Sequence, residues 1–81
     1  MEERLAVLGI LIEDNNAVQA VNDLLHEYGN YIRGRMGIPR VKDSVSAISI
    51  IIIASNNQIS TLTGKLGMLK GVSAKAVYSK L

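Results

Sequence analysis

The sequence predicts an α+β fold, a βαββαβ sandwich in which a four-stranded antiparallel sheet carries two helices on one face. Three observations predict it: an internal repeat, an alternation of β-rich runs with helical stripes, and a length suited to one domain. The 81 residues fit a single domain spanning 1–81. Hydrophobic residues make up 48% of the chain without any Trp or Phe, so the core must be aliphatic.

The chain contains two copies of one unit. The segment "ILIEDNNAVQAVNDLL" (10–25) aligns without gaps on "IIIASNNQISTLTGKL" (51–66), at an offset of 41 residues. That offset is about half of the chain's 81 residues. A solenoid needs at least three repeats to stack, so two copies predict one pseudo-symmetric domain instead.

Each copy predicts a strand, a helix and a second strand. The copies open with the apolar runs "RLAVLGILIE" (4–13) and "VSAISIIIIA" (45–54), each followed by a polar triplet that caps a helix. In the second copy Ser55 and Gln58 have capping-box spacing. Apolar residues at helical spacing then predict a helix near 16–28 and another from about residue 56, with Gly29 and Gly67 or Gly71 as stops. The copies close with "YIRGRMGI" (31–38) and "VSAKAVYS" (72–79), which alternate as strands do.

Right-handed crossovers fold two βαβ units into the ferredoxin-like sandwich with strand order 4-1-3-2. The first and third strands are then central, which agrees with their continuous apolar runs. Odd- and even-numbered residues are both apolar along these strands, so the sequence does not determine which of these two parities faces the helices.

The uncovered face of this sheet predicts a homo-oligomer. The two helices cover one face only, so aliphatic side chains remain exposed on the other, and such patches mark interaction surfaces. We expect a dimer or a tetramer that buries this face. The expected interface residues are Leu8, Ile10, Ile51, Ile53, Arg33 and Arg35.

Two arginines on the second strand are candidates for binding an anion. If Ile32, Gly34, Met36 and Ile38 face the helices, Arg33 and Arg35 point to the open face. They would then form a basic rim suited to a carboxylate or phosphate. The alternative is that charged residues on an edge strand prevent edge-to-edge pairing.

The polar triplet at the end of the first strand is a second candidate site. Asp14, Asn15 and Asn16 lie where a strand leads into a helix N-terminus, which is a natural position for an anion or an amide ligand. Helix capping explains the same residues, because Asp and Asn lead the N-cap ranking.

Catalytic and metal chemistry have little support in the sequence. The chain has no cysteine, which excludes thiolate clusters. Its one histidine, His26, leaves any histidine metal site incomplete. The segment "TGKLG" fails the P-loop pattern, since Leu66 follows Lys65 where Ser or Thr is required. We interpret Gly64 as a close contact between helix and sheet, and Gly67 as a helix stop. We therefore expect no enzyme activity, no catalytic residue, no metal and no cofactor.

Nucleic acid and membranes are also poor partners for this sequence. Ferredoxin-like sheets bind RNA by stacking bases on aromatic residues of the central strands, and the predicted central strands have none. A net charge of +2 is weak for tracking phosphates. No apolar run reaches membrane-spanning length, and the acidic N-terminus is unlike a signal peptide. We expect a cytoplasmic protein.

The segments "GRMGIP" (34–39) and "LTGKLGMLKGVSAKAVYSK" (62–80) resemble the iron-only hydrogenase system regulators. That family is grouped with ACT-like domains and is similar to the C-terminal domain of the nickel-responsive repressor. The resemblance implies a βαββαβ fold, oligomerisation and a regulatory role. The repressor's His and Cys nickel ligands have no counterpart here, so nickel binding is not implied.

The function expected from the sequence is that of an oligomeric, ACT-like regulatory domain that binds a small-molecule effector or a partner protein. The alternative is a transcriptional regulator that binds nucleic acid through the basic second half, where eight Lys and Arg accompany Asp43 alone between residues 33 and 81. A structural assembly subunit without any ligand is the third possibility.

Overall fold

A computed structural model of the chain describes residues 2–80. Its regular elements are strand β1 (Glu3–Ile12), helix α1 (Val18–Glu27), strands β2 (Ile32–Lys42) and β3 (Val45–Ser55), helix α2 (Asn56–Gly67) and strand β4 (Val72–Tyr78). Short 3₁₀ turns at Asn15–Ala17 and Gly29–Tyr31 flank α1. The first helix is therefore shorter than the predicted 16–28, because its first turn is wound as 3₁₀.

The four strands form one antiparallel sheet in the order β2-β3-β1-β4, which confirms the predicted ferredoxin-like topology. Strand β1 pairs with β3 along its whole length, from Glu3 opposite Ser55 to Ile12 opposite Ser46. Strand β4 pairs with β1, and β2 pairs with β3. The two long apolar runs are thus the central strands, as predicted.

The core lies between the sheet and the two helices. Residues of even number on β1, from Ala6 to Ile12, are buried and alternate with residues that are mostly exposed. Helix α1 contributes Val21 and Leu25 to this core, and α2 contributes a longer stripe. The buried aliphatic cluster includes Leu8, Ile10, Ile50, Ile52, Ile59, Leu62 and Leu66. Burial of this cluster drives folding, since each fully buried aliphatic side chain contributes roughly 1.5–3 kcal/mol.

Helix α2 begins with a complete capping box. The Oγ atom of Ser55 accepts a hydrogen bond from the backbone N–H of Gln58 at 3.1 Å, and the Gln58 side chain accepts one from the Ser55 N–H at 2.9 Å. The other end of Gln58 donates from Nε2 to the hydroxyl of Tyr31 at 2.8 Å. This bond ties the start of α2 to the turn that precedes β2.

The connection between α2 and β4 packs tightly against the end of β1. Gly71 has a φ of +75°, and its carbonyl accepts a hydrogen bond from the N–H of Glu13 at 2.7 Å. A Cβ atom at Gly71 would lie 2.6 Å from the Cβ of Asp14. Only glycine fits both this backbone conformation and this contact. Gly64 differs, because a Cβ there would meet nothing within 4 Å, so the predicted close contact with the sheet is wrong.

Strand β2 carries an extra residue at Arg33. Ile32 pairs with Ile52, whereas Gly34 pairs with Ile51, so two steps on β2 match one step on β3. Such a β-bulge exchanges the two faces of the strand beyond it. A second register shift lies between Ile38 and Lys42, where Arg40 has a φ of 51° and donates its N–H to the Oγ of Ser46.

Candidate ligand and interaction sites

One face of the sheet is free of helices and is lined by aliphatic side chains; we call it the open face. Val7 lies at its middle, opposite Ile51 on β3 and Val77 on β4. Leu5 and Leu11 are each 46% exposed, and Val77 is 70% exposed. The exposed aliphatic residues of this face are Leu5, Val7, Leu11, Met36, Ile38, Ile51 and Val77.

A shallow groove of about 500 Å³ crosses the open face. The small residues Gly9 on β1 and Ser49 on β3 pair at its floor, and Lys75 of β4 pairs with Gly9 on the other side. Leu11, Met36, Ile38 and Lys75 also line it. A Cβ atom at Gly9 would meet no atom within 4 Å, so the space above Gly9 is open and a side chain there would project into the groove.

The structure divides the predicted interface residues between the two faces. Ile51 is exposed and Ile53 half-buried on the open face, where Ile53 pairs with Leu5. Leu8 and Ile10 are 0% and 1% exposed, because they belong to the parity covered by the helices. Their assignment to an interface was therefore wrong. Exposed aliphatic residues of β2 and β4, Met36, Ile38 and Val77, take their place on the open face.

Arg35 lies on the helix-covered side of the sheet, so its predicted position on the open face is wrong. It pairs with Ile50, which is fully buried, and its Nη2 atom donates a hydrogen bond to the Oδ1 of Asn22 on α1 at 2.6 Å. The prediction assumed unbroken alternation along β2. The bulge at Arg33 breaks it, so Ile32 faces the helices as predicted while Gly34, Met36 and Ile38 face the open side.

Arg33 itself is the extra residue of the bulge and is exposed. It has no pairing partner on β3, so the register does not place it beside Arg35 on one face. A charged residue at an edge-strand bulge fits the protective role that such positions have against edge-to-edge pairing.

The polar triplet at the end of β1 forms a hydrogen bond within its own turn. The Oδ1 atom of Asp14 accepts a hydrogen bond from the N–H of Asn16 at 3.0 Å, while Asn15 and Asn16 are exposed. An anion at this position would compete with the Asp14 carboxylate for that N–H and would be repelled by its charge. Capping, the alternative named above, therefore accounts for Asp14.

Residues 2–80 contain no candidate metal cluster. No group of three or more His, Asp or Glu side chains there could hold a metal ion. His26 is exposed in the last turn of α1, as expected for a residue near a helix C-terminus. Within the same residues, no helix is long and apolar enough to span a membrane.

The features that could bind nucleic acid are scattered. Tyr28, Tyr31 and Tyr78 pack against the helix-covered core, so no aromatic side chain among residues 2–80 lies on the open face. Gly64 and Gly67 lie inside the last turns of α2, so they do not form the Gly-x-x-Gly loop with which KH domains clamp a nucleic-acid backbone. The basic side chains of the second half of the chain also lie on different faces, with Arg35 beside α1 and Lys75 on the open face.

Asn22 and Met36 were not identified as site residues from the sequence. Asn22 lies on a helical stripe next to Val18, and nothing in its spacing indicates a partner on β2. The exposure of Met36 depends on the bulge, which leaves no clear signal in the residue pattern.

The fold is that of an ACT-like domain of the ferredoxin type. The ACT domain of GTP pyrophosphokinase from Chlorobium tepidum superposes with a TM-score of 0.76 at 20% identity, over 94% of this chain and 100% of that domain. The nitrogen regulatory PII-like protein CPII from Thiomonas intermedia, bound to ADP, AMP and bicarbonate, has a TM-score of 0.56 at 15% identity, over 98% of this chain and 99% of that one. At these identities the likeness concerns the fold alone.

The chain belongs to the TM1266-like family, which is described as iron-only hydrogenase system regulators and matches residues 4–76. The structure of protein TM1266 from Thermotoga maritima superposes with a TM-score of 0.92 at 35% identity, over 98% of this chain and all of that one. The resemblance noted in the sequence is thereby confirmed. A search of curated proteins found no match.

Proposed function

We propose that this chain is a non-catalytic regulatory domain that self-associates through its open face and responds to a small-molecule effector. The observation that carries the proposal is the continuous aliphatic surface of the open face, from Leu5 through Val7 to Leu11 and across to Ile51 and Val77. Contiguous apolar surface of this kind is rare on monomeric proteins outside interaction sites.

A second copy of the chain is the occupant that best fits this face. The open face is aliphatic, and Lys75 is the cation among the residues that line its groove, so two copies would bring together apolar surface with little charge to desolvate. The molecule measures 39 × 18 × 17 Å, so its broad side is comparable to the roughly 800 Å² per partner that stable complexes bury.

The family match supports a regulatory role. In small regulatory folds a ligand acts by binding one assembly state more tightly than another. CPII, bound to nucleotides and bicarbonate, shows that a related fold can hold small ligands, although function does not follow from fold alone.

The test is a single charge placed at the centre of the open face. In Val7→Lys, a cation would stand between Ile51 and Val77 and would have to be buried without a partner in any interface there. We expect the wild type to be an oligomer at micromolar concentration and the Val7→Lys variant to be a monomer, as measured by sedimentation velocity.

The matched control is Met68→Lys, which adds the same charge on the helix layer. Met68 is 86% exposed just after α2, so its replacement should leave the oligomer unchanged. A monomeric wild type at micromolar concentration would contradict the proposal. Equal dissociation of both variants would show that net charge, and not the open face, controls assembly.

A further inference from the structure

A cleft of about 230 Å³ lies on the opposite side of the sheet, between the start of α1 and the middle of β2. We call it the Arg35 cleft. Val18 and Asn22 line it from α1, Arg35 and Pro39 from β2, and Ile48 from β3. It opens on the side of the sheet opposite the groove of the open face, although Ile38, Ala47 and Ile48 line both. All of its lining residues belong to one chain, so it does not need a second copy to form.

The polar groups of the Arg35 cleft are hydrogen-bond donors. Arg35 uses Nη2 in its bond to the Oδ1 of Asn22, which leaves its other N–H groups and the amide N–H₂ of Asn22 for a ligand. The hydroxyl of Ser46, which also lines the cleft, accepts from the N–H of Arg40 and keeps its own proton to donate. These groups together favour a ligand that presents acceptors.

The charge in the cleft is a single positive one. None of its lining residues is Asp or Glu. Among residues 2–80 the one ion pair joins Glu27 to Lys65. Arg35 therefore has no carboxylate partner within that part of the chain. The hydrogen bond to Asn22 orients the guanidinium without neutralising it, and a guanidinium is well suited to bind a carboxylate through two parallel bonds.

The remaining walls of the cleft are aliphatic. Ile12 is buried, Val18 and Ile48 are half-buried, and the exposed Pro39 also lines the cleft. Gly37 also faces this side, because it pairs with Ile48, and its missing side chain keeps the space open. The volume is below the range typical of drug-sized ligands, so the cleft suits a short molecule with an apolar tail.

We propose that the Arg35 cleft binds a short aliphatic carboxylate that carries a second acceptor beside its acid group, as a 2-oxo acid does. Arg35 holds the carboxylate, the amide of Asn22 and the hydroxyl of Ser46 donate to the neighbouring oxygen, and the tail contacts Val18, Ile48 and Pro39. The α-ammonium of an amino acid finds no anionic partner among the lining residues, so an amino acid should bind more weakly.

The experiment is a titration of the full chain followed by two-dimensional amide NMR. The probes are 4-methyl-2-oxopentanoate, leucine and inorganic phosphate. The oxo acid should shift the signals of the Asn22 side chain, Gly37 and Ser46, and it should bind at least roughly tenfold more tightly than leucine or phosphate, because charge-assisted hydrogen bonds and apolar contacts both contribute.

Two variants test the residues of the cleft independently. Arg35→Gln removes the charge and should weaken binding of the oxo acid by roughly tenfold or more. Gly37→Val fills the cleft without altering its charge and should abolish binding, while a Cβ there makes only an ordinary contact of 3.7 Å with Ile48. Arg33→Gln, which removes an exposed charge two residues away, should bind as the wild type does.

Several results would overturn this inference: equal binding to wild type and Arg35→Gln, signal shifts confined to the open face around Gly9 and Lys75, or equal affinity for phosphate. Each variant's spectrum away from the cleft reports whether its fold is intact. Because the cleft lies within one chain, Val7→Lys should still bind the oxo acid. Failure of the assembly proposal and failure of this one are therefore distinguishable.

Discussion

At the scale of single residues, Gly71 and Gly64 show how two glycines of the same segment differ. Gly71 has a positive φ and no room for a Cβ beside Asp14, whereas Gly64 is helical and faces open space. In the sequence both are glycines near the end of a helix, and their spacing does not separate them. The difference comes from the approach of the β1 end to the turn before β4.

We expect Gly71→Ala to lower the free energy of unfolding by at least about 2 kcal/mol, because the left-handed conformation and the contact with Asp14 both penalise a Cβ. Gly64→Ala is the control, and it should raise stability by up to about 1 kcal/mol, since alanine is the better helix former. Urea denaturation at one fixed protein concentration measures both. A Gly71→Ala variant as stable as the wild type would refute the steric argument.

At the scale of secondary-structure elements, the start of α2 was predictable and the course of β2 was not. The capping box of Ser55 and Gln58 depends on residues three apart, so local spacing reveals it. The bulge at Arg33 depends on pairing with β3, where Ile51 and Ile52 follow each other without any interruption in the pattern. One inserted residue then moves Arg35 to the helix side and Met36 to the open face.

Removing the cap of α2 should have a measurable cost. Ser55→Ala loses the bond to the Gln58 N–H and should destabilise the protein by about 1 kcal/mol. Thr61→Ala, an exposed change in the middle of the same helix, should cost nothing or stabilise slightly. Thermal unfolding of both variants followed by circular dichroism distinguishes them. Equal effects from both changes would mean that the cap contributes nothing specific.

At the scale of the whole molecule, the domain has two layers and therefore one uncovered sheet face. A two-layer sandwich must bury the apolar side of its sheet, and here both sides are apolar. The helices cover one side. The proposed assembly satisfies the other and would couple the stability of each chain to the concentration of its partners.

Thermal stability should therefore depend on protein concentration. If assembly through the open face contributes to stability, the melting temperature of the wild type should rise between about 1 and 100 μM, because mass action favours the associated folded state. The Val7→Lys variant should show a melting temperature independent of concentration. Differential scanning calorimetry provides the measurement, and a constant wild-type melting temperature would count against the assembly.

The sequence by itself determined the topology of this protein. The repeat at 10–25 and 51–66 and the apolar central strands predicted the βαββαβ order, because strand and helix periodicities are local properties of the chain. The family was also visible in local segments, and the match over residues 4–76 confirmed it.

Only the tertiary structure decided which residues line the open face and which line the Arg35 cleft. Both parities of β1 and β3 are apolar, so the choice that buries Leu8 and Ile10 and exposes Leu5 and Val7 is made by the helices that pack on one side. On β2 the choice is made by a bulge whose position is fixed by pairing with β3. Faces and cavities arise from contacts between distant segments, and the residue pattern of one strand does not contain them.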